Sequence, residues 1–286
     1  MGMHLDPVYW YMRRAGARHW QRHEVARGGI YESAVFAELD RSGTTGLVTV
    51  PERPRLAWYE PGRDPTAPWL AHPIGSRGGN WHGLGVGALE CGGAPCVLTP
   101  SVVYESEDDI RRPWKSAPLR QIDPDGQMHD GLGDVHIIHT HSVGGAEPSL
   151  FAASPHGLGL WRWDLVSLDG STRTYQRYDL ETATSQLHAL AVLPAADFED
   201  VDAWVVTGKR WQAHGPHHDI DPAGAPVLFR VGIYRDPLRQ PRIEGIDTAS
   251  GVGLQIAVRR LDDGRMQIAT SNKLGVHLFT ESRGSR

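Results

Sequence analysis

Apolar and polar residues alternate along this chain in short runs, and long stretches of helical period are absent. Alternation turns successive side chains to opposite faces of an extended backbone, so the pattern predicts short β-strands. The strands recur in a fixed order. One opens on a polar residue, a turn-rich loop follows, then a β-branched strand and an aromatic strand. The opening strands are 31-YESAVFAEL, 81-WHGLGVGAL, 133-GDVHIIHTH, 186-QLHALAV and 250-SGVGLQIAV. Between copies lies a further strand-like piece: 20-WQRHEVA, 69-WLAHPIG, 114-WKSAPLRQI, 174-TYQRYDL and 239-RQPRIEGI. Each unit therefore has four strands.

The unit starts Glu32, His82, Asp134, His188 and Ser250 are 50, 52, 54 and 62 residues apart. Four antiparallel strands at that period predict an all-β propeller, 1–286, as a single domain of five four-stranded blades. The chain begins on a fourth-strand piece and ends on a third strand. The N-terminal strand near Trp20 is thus expected to complete the last blade and close the ring, removing a sheet edge. The segment 8-VYWYMRR reads as an extra third strand and keeps six blades open.

Composition sharpens this picture. Gly 33 and Pro 20 supply turns, and Trp 10 against Phe 5 suits wide rings packed between sheets. The net charge of -5, with no basic cluster, argues against a nucleic-acid partner. No apolar run approaches a membrane span, and MGMHLDPVYW has no apolar leader core, so a cytoplasmic protein with a small-molecule substrate is expected. Oligomeric state is not legible. The two cysteines, Cys91 and Cys96, flank a GGAP turn and are expected to be reduced thiols in a cytosolic chain.

The stretches 31-YESAVFAEL, 82-HGLGVG, 99-TPSVVYE, 154-SPHGLGLW, 185-SQLHAL, 207-TGKRWQAHG, 250-SGVGLQ and 271-SNKLGV resemble the FG-GAP/VCBS-type β-propeller repeats. More narrowly, they resemble the propeller of aldos-2-ulose dehydratase-like proteins. The resemblance touches all five units, and it implies elimination of water from a keto-sugar. The acidic loops depart from that pattern: 38-ELDRSGTTG, 89-LECGGAPC, 139-HTHSVGGAE, 194-PAADFEDVD and 261-LDDGRM lack the alternating carboxylates that calcium needs.

In a propeller the first residues of the innermost strands converge at one mouth of the channel. Glu32, His82, Asp134 and His188 occupy those places, with Ser250 in the fifth unit. Two imidazoles and two carboxylates suit a divalent metal ion, Mg, Mn, Zn or Fe. The bland alternative is hydrogen bonding across a water-filled channel. The ends of the second strands bring His156, Lys209, Arg210 and Asn272, followed by Trp211, His214 and Lys273. Lys209 or His214 would serve as general base and His156 as acid, with Tyr31 beside them. Trp81, Arg210, Trp211, Asn272 and Lys273 would contact substrate. A separate pair, His139 and His141, shares one face of its strand with His136 opposite, and could clip a surface metal. No nucleophile elbow, P-loop or dinucleotide fingerprint is present.

These residues lead to a metal-assisted lyase or isomerase acting in the central pocket. A small-molecule cyclase of specialised metabolism would use the same pocket. The rival class is a non-catalytic propeller that binds a ligand or a protein. The unlike residues at equivalent places in the five units favour one asymmetric site and so an enzyme.

Overall fold

The computed structural model describes residues 7–27, 33–40, 42–52, 55–76, 82–89, 95–107, 109–144, 147–197, 199–210, 227–272 and 275–282. Every regular element among them is a β-strand. Among the described residues no helix is long and apolar enough to cross a membrane. The chain divides into two compact units, Met1–Pro118 and Leu119–Arg286.

The first unit begins with an antiparallel pair, β1 (Val8–Met12) and β2 (Gln21–Ala26). A four-stranded meander follows: β3 (Ala34–Ala37), β4 (Gly46–Glu52), β5 (Arg55–Glu60) and β6 (Leu70–Ser76). Next come β7 (Gly85–Gly87), β8 (Cys96–Leu98) and β9 (Val102–Glu105), with Lys115–Pro118 of β10 (Lys115–Ile122) paired to β9. The meander is apolar on both faces. Val48, Leu56, Trp58 and Ile74 pack with Leu84, Val97, Tyr104 and Trp114 on one side. Leu47, Ala57 and Tyr59 pack with Val25 and Ala26 of β2 on the other. The strand period of two sends neighbours to opposite faces, so 56-LAWY divides its side chains between two cores.

The second unit repeats the arrangement. The short β11 (Met128–Asp130) pairs with β10. Then come β12 (His139–Ser142), β13 (Pro148–Ala153), β14 (Leu158–Asp169) and β15 (Thr172–Ser185). The meander β16 (Ala189–Pro194), β17 (Ala203–Gly208), β18 (Leu228–Ile233) and β19 (Arg242–Asp247) follows. The last sheet has three strands, β20 (Ile256–Arg260), β21 (Met266–Asn272) and β22 (Gly275–Thr280). In β17, Ala203 and Val205 join Phe151, Leu160 and Leu187, whereas Trp204 and Val206 join Met266 and Ile268. The β16–β19 sheet is thus covered on both faces, which is why 203-AWVV reads as an unbroken apolar run. Trp58, Trp163 and Trp204 are fully buried, the use expected for the excess tryptophan. The Trp163 indole donates to Gln121 Oε1 at 2.9 Å.

The strand order within each four-stranded unit follows the sequence expectation. Three points differ. First, among the described residues the strand at Gln21–Ala26 is hydrogen-bonded to β1, a pairing outside the four-strand pattern, and the last sheet has three strands. Second, β14 and β15 are far longer than a blade strand. They are joined by a two-residue turn in which Gly170 takes a φ of 59°, a hand that matches strand twist. The outer half of β15 pairs in parallel with Leu119–Ile122 of β10, a non-local contact that alternation alone cannot reveal. Third, Cys96 is disulfide-bonded, so the expected reduced state is corrected; Cys91, the other cysteine, lies outside the described residues.

The carboxylates of the loop segments 38-ELDRSGTTG and 194-PAADFEDVD hold the loops themselves. Glu38 and Asp40 accept the Gly43 and Ser42 N–H groups. Glu199 accepts from the Ala196 N–H, the Trp204 indole and Arg260.

His139 is partly buried at the start of β12, paired with Phe151 of β13. Burial pushes its pKa down to about 4, against the pull of its bond to the Leu190 backbone. The unfolded chain takes up this proton near the ordinary value of about 6.5, while the folded chain resists until about 4. Its contribution is complete above about pH 6.5 and is lost as the pH falls toward 4. We predict that His139→Gln shrinks the drop in unfolding free energy between pH 7 and pH 4.5 by on the order of 2 kcal/mol, measured by denaturant titration. An unchanged pH profile would show that His139 is not held neutral.

Candidate metal and acid–base site

Two glycines set the shape of the polar end of the second unit. A Cβ on Gly208 would run into the Val227 carbonyl, and one on Gly253 into the Ser271 carbonyl. These close approaches let the start of each sheet meet the end of a second strand. A ladder of backbone bonds results. The His136 N–H donates to Ala153 O at 3.2 Å and the Leu187 N–H to Ser154 O at 3.0 Å. The Arg210 N–H donates to Gln186 O at 3.0 Å, and the Val252 N–H to Lys209 O at 3.2 Å. Ala189 is registered opposite Gly208, so His188 and Lys209 lie just beyond the same end of the β16–β17 pair. Both are buried, at 0% and 4% exposure. The Asn272 amide donates to Ser250 O at the same end of the last sheet.

The imidazoles are oriented by oxygen acceptors. His156 Nδ1 lies 2.9 Å from Asp134 Oδ2. His136 Nδ1 is bonded to the His188 carbonyl, and His188 Nδ1 lies 3.3 Å from the Gln186 carbonyl. A carbonyl or an ionised carboxylate only accepts, so Nδ1 carries the hydrogen in each ring and Nε2 carries the lone pair. The His156 and His188 rings meet edge to face with centroids 5.8 Å apart. His136 and His188 are 5.5 Å apart. Within the second unit His156 and His188 are imidazoles that could serve as ligands of a metal ion. A carboxylate bonded to the far nitrogen of a ligating His fixes its tautomer and strengthens it as a ligand, and Asp134 stands in that relation to His156.

Of the residues picked out from the sequence, Asp134, His156, His188, Lys209, Arg210 and Asn272 fall at this polar end. His82 is buried just before β7 in the first unit. Tyr31, Glu32, Trp81, Trp211, His214 and Lys273 lie outside the described residues. Asp134 is engaged with His156, which makes it an orienting carboxylate in this geometry. His139 and His141 share a face of β12, as alternation requires, and burial lowers the pKa of both. Among the described residues no group of three metal-capable side chains includes them. Two contributors escaped the sequence reading. His136 was set apart on the opposite face, yet it holds the His188 carbonyl. Gln186 lay inside 185-SQLHAL with nothing to mark it, because its signal is a backbone angle.

Compared with models of known protein families and with curated proteins, the chain matches none.

The tautomers are open to direct measurement. We predict that long-range proton–nitrogen NMR finds the hydrogen of His156 on Nδ1, and that Asp134→Ala moves it toward the Nε2–H form that free imidazole side chains favour. An identical spectrum in the variant would mean that the carboxylate does not set the ring.

Proposed function

We propose that the protein is a metal-assisted lyase or isomerase acting by acid–base chemistry on a small carbonyl- or hydroxyl-bearing substrate. One observation supports this reading above the others. Oxygen-oriented imidazoles and the buried Lys209 gather at one end of stacked sheets, instead of recurring once per sheet as in a repetitive binding surface. The stacking of four-stranded meanders also supports a β-propeller of five blades, or six if β1–β2 is counted separately. The polar end would then face its channel, with the ring closed through the N-terminal strands.

The donor set fits a divalent cation. His156 and His188 would hold it through Nε2, and Asp134 would steady His156 from behind. Nitrogen donors suit Zn, Fe or Mn better than the oxygen-seeking Mg. When bound, such an ion polarises a carbonyl or hydroxyl oxygen and acidifies the neighbouring C–H. Lys209, in its amine form, would take that proton. The ammonium so formed would return it to the departing hydroxyl, so that a carbon–oxygen bond breaks and water leaves. His214 would serve as an alternative base. Arg210 and Asn272 would hold the substrate's oxygens. The likeness to aldos-2-ulose dehydratase-like propellers names keto-sugars as the first substrates to try.

Metal analysis of the purified protein should find about one divalent ion per chain. His188→Ala should lose both metal and turnover. Lys209→Ala should keep the metal while turnover on keto-sugars falls by roughly 10²–10⁴-fold. If both variants keep the metal and no form turns over any keto-sugar or related carbonyl compound, the protein is a binding module.

A further inference from the structure

Gln186 stands out on two independent counts. Its φ is 60°, and it is the sole non-glycine residue with a positive φ among the described residues. A side chain in the left-handed region is strained, and Gly would occupy the position freely. Gln186 is also 1% exposed, and its Nε2 finds no hydrogen-bond partner among the described residues. Buried amide donors are nearly always satisfied, because losing water without a replacement is costly. The hydroxyls of Ser185 and Ser250, each 2% exposed, are in the same state.

The strained turn does a specific job. The Gln186 carbonyl accepts the His188 N–H and the Arg210 N–H, both at 3.0 Å. One residue thus fixes the spacing between the imidazole of His188 and the Lys209–Arg210 corner. Stability alone gives no reason to keep glutamine here, since Gly would remove the strain and the unused donor together. Unrelieved strain beside convergent polar groups is the mark of a functional residue. The group on offer at Gln186 is an amide N–H, which matches an oxygen acceptor.

We infer that Gln186 is the specificity-determining residue of the site: its carboxamide N–H donates to a carbonyl or hydroxyl oxygen of the substrate, while its backbone sets His188 and Arg210 around that oxygen. The inference rests on the proposed acid–base site, though not on the identity of the ion.

Dihydroxyacetone, the smallest keto-sugar, is the probe, titrated calorimetrically into wild-type, Gln186→Gly and Gln186→Glu protein, with melting curves and cobalt uptake measured in parallel. Gln186→Gly should melt at the wild-type temperature or a few degrees above it and take up cobalt normally. It should bind the probe at least about tenfold more weakly, the worth of one hydrogen bond. Gln186→Glu, equal in shape but without the N–H, should lose binding as well. A Gln186→Gly protein that melts several degrees lower would show that the amide is held by the chain itself, and would overturn the inference. Unaltered probe affinity in either variant, or no binding by the wild type, would overturn it too. A wild type that ignores cobalt yet binds dihydroxyacetone in a Gln186-dependent way would defeat the metal and leave the inference standing.

Discussion

A β-sheet that is apolar on both faces cannot stand alone in water. The β16–β19 sheet carries Ala203, Val205, Phe229 and Val231 on one face and Trp204, Val206 and Leu228 on the other. Burying one such side chain contributes roughly 1.5–3 kcal/mol, so exposing either face would cost an amount comparable to a domain's whole margin of stability. The sheet must be sandwiched, and so must β3–β6 with its own two cores. Wide rings make this possible. Trp58 and Trp204 pack between neighbouring strands of their clusters, and the aliphatic side chains fill in around them.

Once the sheets are stacked, chemistry is confined to their ends. Along a doubly covered strand no position is free for a polar side chain without a partner. Those that occur inside are tied down: Arg162 donates to Asp164 and to the Tyr234 carbonyl, and the Thr207 hydroxyl to Ala189 O. At the strand ends the ladder stops, and backbone and side-chain groups can turn toward a ligand. The bonds from Leu187 to Ser154, Arg210 to Gln186 and Val252 to Lys209 lock those ends to one another. The site is therefore built on rigid elements. Its geometry depends on backbone approaches that tolerate only Gly at 208 and 253.

Orientation supplies the rest of the chemistry. A histidine ring is a ligand or a base only on the nitrogen that lacks the hydrogen, and its neighbours decide which nitrogen that is. Asp134 decides for His156, the His188 carbonyl for His136, and the Gln186 carbonyl for His188. A hydrogen-bond relay thus runs from the strained turn at Gln186 through His188 to His136.

The sequence by itself determined the strands and the residue types at their ends, because alternation and turn chemistry are local properties of the chain. It marked Asp134, His156, His188 and Lys209 because polar residues stand out at the rim of apolar strands. It could not place His136 or Gln186. The first is one of three histidines in 136-HIIHTH-141, and only packing shows which of them meets His188. The second is known by a dihedral angle that no residue type announces. The β10–β15 pairing, the length of the β14–β15 hairpin, the pairing of β2 with β1 and the bonded state of Cys96 were likewise left to tertiary structure. The physical reason is common to all four. Strand partners, thiol pairs and ring tautomers are fixed by contacts between residues distant in the chain, and a local pattern constrains which faces must be covered without saying by what.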